Sequence, residues 1–196
     1  MNEPEKLRTI VRVNKQQAAL SQLTAAIVIW FQGGDPVSIH TLAAAAHDCF
    51  YWMVKHMGKK SILREWMSPQ SKRFQKRIAE AQKFFKHGHQ WLKKRVKYPV
   101  LYGELLMFDS VICYGMIFGA SMTPVVLRLY GVRFALENAD ILGRELSWFF
   151  IERDIVEELA PLSRQEFFKR CLSILRETTT PVWNWPFYSG SPSESP

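Results

Sequence analysis

Apolar positions along the chain recur at the spacing of helices, with no alternating run that would read as a strand. Leu20, Leu23, Ile27, Trp30 and Phe31 share one face and predict a long first helix over 4–31, fraying around Ile10 and Val13 and ended by Gly33-Gly34. Asp35-Pro36 supplies a capping carboxylate followed by a proline whose missing N–H costs nothing at the first helical position. The helix it opens carries Ile39, Leu42, Ala43, Ala46, Phe50, Met53 and Met57 as its stripe, and Gly58 is placed to end it. Its alanine run invites close approach of a neighbour. A short helix over 61–67 follows, and Ser68-Pro69 starts another that reaches Lys86 or His87. On that helix Phe74, Ile78, Ala81 and Phe85 form the buried side, with Lys76, Glu80, Lys83 and His87 opposite.

Residues 100–119 are apolar on nearly every face, the pattern of an enclosed central helix. Thr123-Pro124 is read as the cap of a helix running to Glu137, Asp140 as the start of one ending near Pro161, and Ser163-Arg164-Gln165-Glu166 as a capping box for a last helix to about Glu177. The pattern predicts an all-α, up-and-down bundle of about seven helices in one domain over 1–177. A tail over 178–196 is rich in Pro, Ser and Thr, yet it holds Trp183, Trp185, Phe187 and Tyr188 and is expected either to be mobile or to dock.

With 196 residues, 47% of them hydrophobic and 22% charged, the chain suffices for one sizeable core. The longest uncharged run, 110–127, is interrupted by Gly115, Gly119 and Pro124, so no membrane span is predicted. The polar start Met1-Asn2-Glu3-Pro4 lacks the basic-then-apolar form of a secretory leader, and the expected location is the cytoplasm. Cys49, Cys113 and Cys171 are odd in number and widely spaced, which suits buried thiols rather than disulfides or zinc ligands. Charge changes the picture more. Between Lys55 and Lys97 fourteen Lys or Arg face two acids, a surplus of twelve, while the remainder balances to −4 and the whole chain to +8. Such a band is either a solvated lysine-rich face or a surface that meets phosphates or an acidic partner.

Phosphate-binding glycine loops, Gly-x-Ser-x-Gly, Cys-x-x-Cys and His-Glu-x-x-His are all missing from the chain. Three clusters remain. Lys83-Phe84-Phe85-Lys86-His87-Gly88-His89 gathers cations and imidazoles at a helix end; there His87 either caps carbonyls, binds phosphate when protonated, or serves as a general base when neutral. His40, His47 and Tyr51 lie on one flank of the second helix, the imidazoles two turns or roughly 10 Å apart, so boundary histidines are favoured over metal ligands. Asp109 sits on the apolar central helix, where an unpaired carboxylate is costly; His40, His47 or an arginine is expected to pair with it.

Two stretches, Gly33-Gly34-Asp35-Pro36-Val37-Ser38-Ile39-His40-Thr41-Leu42-Ala43-Ala44-Ala45-Ala46 and Phe84-Phe85-Lys86-His87 with the later Leu105-Leu106-Met107-Phe108-Asp109, resemble small bacterial all-helical proteins related to the HEPN superfamily. The resemblance covers roughly residues 16–137. It implies a bundle that pairs into a two-fold dimer, and for many members an RNA-cutting role in defence or toxin systems through an Arg-x-x-x-x-His motif. Here the arginine position holds Gln82, with Lys83 beside it, and other branches of the superfamily act as binding modules without catalysis. The leading expectation is therefore a non-enzymatic or weakly active, dimeric module without cofactor or metal, contacting RNA or an acidic protein in a bacterial defence or toxin–antitoxin setting. The expected contacts are Arg73, Lys76, Arg77, Lys83, Lys86, His89, Lys93, Lys94 and Arg95. The alternatives are a metal-independent ribonuclease, with His87 as base and Lys83 or Lys86 stabilising the phosphorane, and a pure interaction protein docking through its aromatic tail.

Overall fold

Asn14 opens the first helix. Its side chain accepts from the Gln17 N–H at 2.8 Å while the Gln17 amide oxygen accepts from the Asn14 N–H at 2.9 Å, a reciprocal pair that satisfies two otherwise orphaned donors. Helix α1 is therefore Lys15–Phe31, and Val11 to Asn14 precede it as non-helical chain, so the expected earlier turns are absent there. The computed structural model describes residues 11–67, 72, 76, 80–81, 83–85, 95–140 and 159–177. Within them lie five further α-helices, α2 (Pro36–His56), α3 (Ile62–Met67), α4 (Val100–Phe118), α5 (Val125–Glu137) and α6 (Arg164–Glu177), and a single 3-10 turn at Ala120–Met122. No strand occurs among the described residues, and the protein is an all-α helical bundle. Most of the expected helix over 68–87, the interior of the one over 140–161, and the tail over 178–196 lie outside the described residues.

Glycines at φ 68° (Gly33) and φ 71° (Gly58) follow α1 and α2, a conformation that any side chain bearing a Cβ resists. Asp35 caps α2, its carboxylate accepting from both the N–H (2.8 Å) and the hydroxyl (2.7 Å) of Ser38. Helix α2 lies between α1 and α4 and so buries a wider arc than one stripe: Ile39, His40, Ala43, Ala44, Ala46, His47, Phe50 and Val54. Of the expected stripe, Leu42 and Met53 are only partly buried and Met57 is 48% exposed. The row His40, His47, Val54 takes the inner place instead. Close approach of α2 to α4 depends on Gly103, where a Cβ would stand 3.3 Å from the His40 Cα.

Helix α4 forms the centre, buried at every residue from 102 to 111 and again at Cys113. It is long and apolar enough to cross a membrane, the one such helix among the described residues, and most of it is enclosed by protein here. Gly119 and the 3-10 turn break the chain before α5. Thr123 does not cap α5 as expected: its hydroxyl donates to the Gly119 carbonyl at 3.3 Å, and Pro124 takes the cap position without a side-chain bond. The Ser163–Glu166 capping box of α6 is present, with Ser163 N–H and hydroxyl both donating to the Glu166 carboxylate (3.0 and 2.6 Å). Aromatic contacts tie the far ends together. Trp30 meets Tyr130 edge-on at 4.9 Å, Phe31 stacks on Phe168 at 4.4 Å, and Phe108 meets Phe134 at 4.7 Å.

Candidate functional site

Asp109 is the hub of the polar interior. From the middle of α4 its carboxylate accepts from His47 Nε2 of α2 at 2.7 Å, from the Ser61 hydroxyl at 2.6 Å and from the Leu63 N–H of α3 at 3.0 Å, while the Cys113 thiol one turn on approaches at 3.8 Å. Of the three partners expected from sequence, His47 is the one the fold supplies. Burial pushes the Asp109 carboxyl upward, but the bonds from His47, Ser61 and Leu63 outweigh it and hold the group below the ordinary aspartate value. Burial, with the neighbouring Asp109 charge, drives the Cys113 thiol far up, so it is a protonated donor and no nucleophile.

This constellation contains the residue types of an acyl-transfer triad in an order that does not support one. A triad needs the hydroxyl on the imidazole, with the acid behind the ring; here Ser61 and His47 both point their protons at the acid. Ser61 is buried as well. The arrangement joins α2, α3 and α4 and presents no activated oxygen.

His40 is wholly enclosed, ringed by Phe85 (5.2 Å), Tyr98 (5.3 Å) and Tyr102 (5.9 Å), and so it is an interior residue rather than one on the flank. His47 stacks on Tyr51 at 6.1 Å. Among the described residues no three of His, Cys, Asp and Glu are placed to hold a metal ion.

A second polar junction escaped the sequence reading. Glu104 accepts from the Trp30 indole N–H at 2.8 Å and from Arg164 at 3.2 Å; Arg164 in turn lies 3.9 Å over the Trp30 ring and reaches Glu137 at 2.6 Å, which also takes Arg133 at 2.7 Å. Burial raises the Glu137 carboxyl, and the two guanidinium groups more than reverse it. The junction fastens α1, α4, α5 and α6. Its signals were present in the sequence: Glu104 on the same apolar helix as Asp109, and a tryptophan in a helical stripe whose N–H needs an acceptor.

On the outer side, Lys72, Lys76 and Lys83 are helical and exposed, and at helical spacing they lie within about 40° of one another around the axis. Ala81 is buried, while Phe84 and Phe85 are partly buried, Phe85 packing edge-on against His40 and against Tyr98 at 5.0 Å. Arg95 and Lys97 are also exposed. Arg73, Arg77, Gln82, Lys86, His87, His89, Lys93 and Lys94 lie outside the described residues. The fold thus brings His47 to Asp109, keeps His40 apart from both, and leaves Lys72, Lys76 and Lys83 of the band exposed. Compared with known proteins, the chain matches no family model, no curated protein and no solved structure.

Proposed function

We infer that the chain is a HEPN-like, dimeric, non-enzymatic binding module whose basic band contacts the phosphates of RNA, in the setting of bacterial defence. The observation that supports the reading is the exposure of Lys72, Lys76 and Lys83, which regular helical spacing sets on one arc, opposite the buried Ala81 and the packed Phe85. Lysines so displayed make point-charge contacts with successive phosphates without reading sequence. The interior groups are unsuited to catalysis. Asp109, Ser61 and Cys113 are buried and committed to one another, and Gln82 stands where the superfamily's nucleases carry arginine.

The test is RNA affinity across a salt series, with the full chain and with K72E/K76E/K83E. Binding to a single strand is expected to fall steeply with salt, and losing three phosphate contacts lowers the slope of log affinity against log salt by about 2. Affinity independent of salt, or equal in the two proteins, removes the reading. Loss of partner capture from an acidic protein with RNA binding unaffected assigns the band to that protein instead. RNA cleavage abolished by His87→Ala converts the module into a nuclease.

A further inference from the structure

A groove of about 650 Å³ opens where the start of α1, the last turns of α2 and the end of α4 meet, with Lys15, Cys49, Trp52, Met53, Met57 and Ile117 among the residues lining it. Its walls are largely apolar. Its margin is cationic: the Lys55 ammonium lies 4.3 Å from the Trp52 ring centroid, and Lys59 donates to the Met116 carbonyl at 3.1 Å, next to Ile117 in the wall. His56 donates its Nδ1 proton to the Trp52 carbonyl at 2.7 Å and also lines the groove, where Asp48 is the acidic member.

Trp52 is 51% exposed, whereas Trp30 is buried at 1% with its indole N–H on Glu104. Packing accounts for Trp30 and does not account for Trp52. A half-exposed indole with the Lys55 ammonium over it and Tyr51 edge-on at 5.7 Å suits a ligand that is flat and apolar in one part and anionic in the next. A purely apolar peptide has no use for the cations, and a peptide acidic throughout, with no apolar side chain, has none for the ring. A nucleotide uses both, through stacking of the base and pairing of the phosphate.

We propose that this groove stacks an unpaired base of single-stranded RNA on Trp52, with Lys15, Lys55 and Lys59 meeting the flanking phosphates. The proposal rests on the RNA reading above and adds to it a preference for unpaired strands. The two contact regions can be perturbed separately: Phe85 packs at His40, twelve residues before Trp52 on α2, or about 18 Å along the helix.

The experiment uses the full chain with a labelled oligo(A) strand and with the same strand paired to oligo(U). Trp52→Ala is expected to weaken binding of the single strand about tenfold and to leave the duplex unchanged, and Trp52→Phe, which keeps a ring, to weaken it no more than about threefold. Unchanged circular dichroism and melting of both variants establish that they fold. Single-strand affinity unaltered by Trp52→Ala, or equal loss on both probes, overturns the proposal, as does a Trp52→Ala variant whose only change is a lower mass by light scattering, which makes the groove a contact between copies. If K72E/K76E/K83E loses RNA while Trp52→Ala does not, the groove alone fails. If wild-type chain binds neither probe, the RNA reading fails with it.

Discussion

Asp109 shows how one carboxylate can be kept ionised inside an apolar helix: three donors from two other elements converge on it, and its desolvation is offset by bonds rather than avoided. Because the folded-state pKa lies below the unfolded value of about 3.9, its stabilising effect is present in full above that value and is lost as pH falls through the folded one. Asp35, Glu137 and Glu166 are shifted in the same direction and add to the same acid limb. Urea unfolding between neutral pH and pH 2 is expected to show stability falling with acid, and Asp109→Asn to flatten part of that fall. At neutral pH the same substitution is expected to cost about 3 kcal/mol, since an amide brings a donor into a cage of donors. A pH profile identical in the two proteins would remove Asp109 from the account. The need for a partner at this position was legible from a lone acid in an apolar run; which histidine answers it was not. His40 and His47 share one face of α2 two turns apart, and only the level at which α4 meets α2 separates them.

At the scale of elements, local chemistry fixed several helix ends that sequence could read: Asp35-Pro36, Ser163 with Glu166, and the glycines after α1 and α2. The failures have physical causes. Asn14 with Gln17 is a capping pair in amide form, and it starts the helix later than the apolar spacing predicts. Thr123 falls one residue before the cap position, where its hydroxyl donates back to the Gly119 carbonyl, and Pro124 takes the cap without a side-chain bond. The stripe of α2 was displaced because burial on two sides is a tertiary property, which periodicity along one helix does not contain. The junction of Trp30, Glu104, Glu137 and Arg164 draws its members from four helices, so the chain signals that Glu104 and the Trp30 indole need partners but not that they meet. The crossing of α2 and α4 offers a sharp test. With a new Cβ 3.3 Å from the His40 Cα, Gly103→Ala forces two backbones apart and is expected to cost about 1–3 kcal/mol, read from urea midpoints at constant m. A midpoint equal to wild type would mean that the two helices are free to separate.

Charge is organised at the scale of the whole molecule. Three acids of the body are engaged inside it, Glu104 and Glu137 with Arg164 and Asp109 with His47, while Asp35 and Glu166 cap helices at the surface. The potential seen from outside is weighted toward the band between Lys55 and Lys97 and its surplus of twelve. This arrangement separates stability from binding. Lys72, Lys76 and Lys83 are exposed, so reversing them removes two charges at each position and takes the chain from +8 to +2 without opening a buried contact. Surface charges of this kind contribute at most about 0.5 kcal/mol each, and lowering the net charge relieves self-repulsion. The melting temperature of K72E/K76E/K83E is therefore expected to stay within a few degrees of wild type, or to rise, while affinity for any polyanion drops at low salt. A cooperative loss of stability would instead show that these ammonium groups hold the helix to the bundle, and the band would then be part of the scaffold.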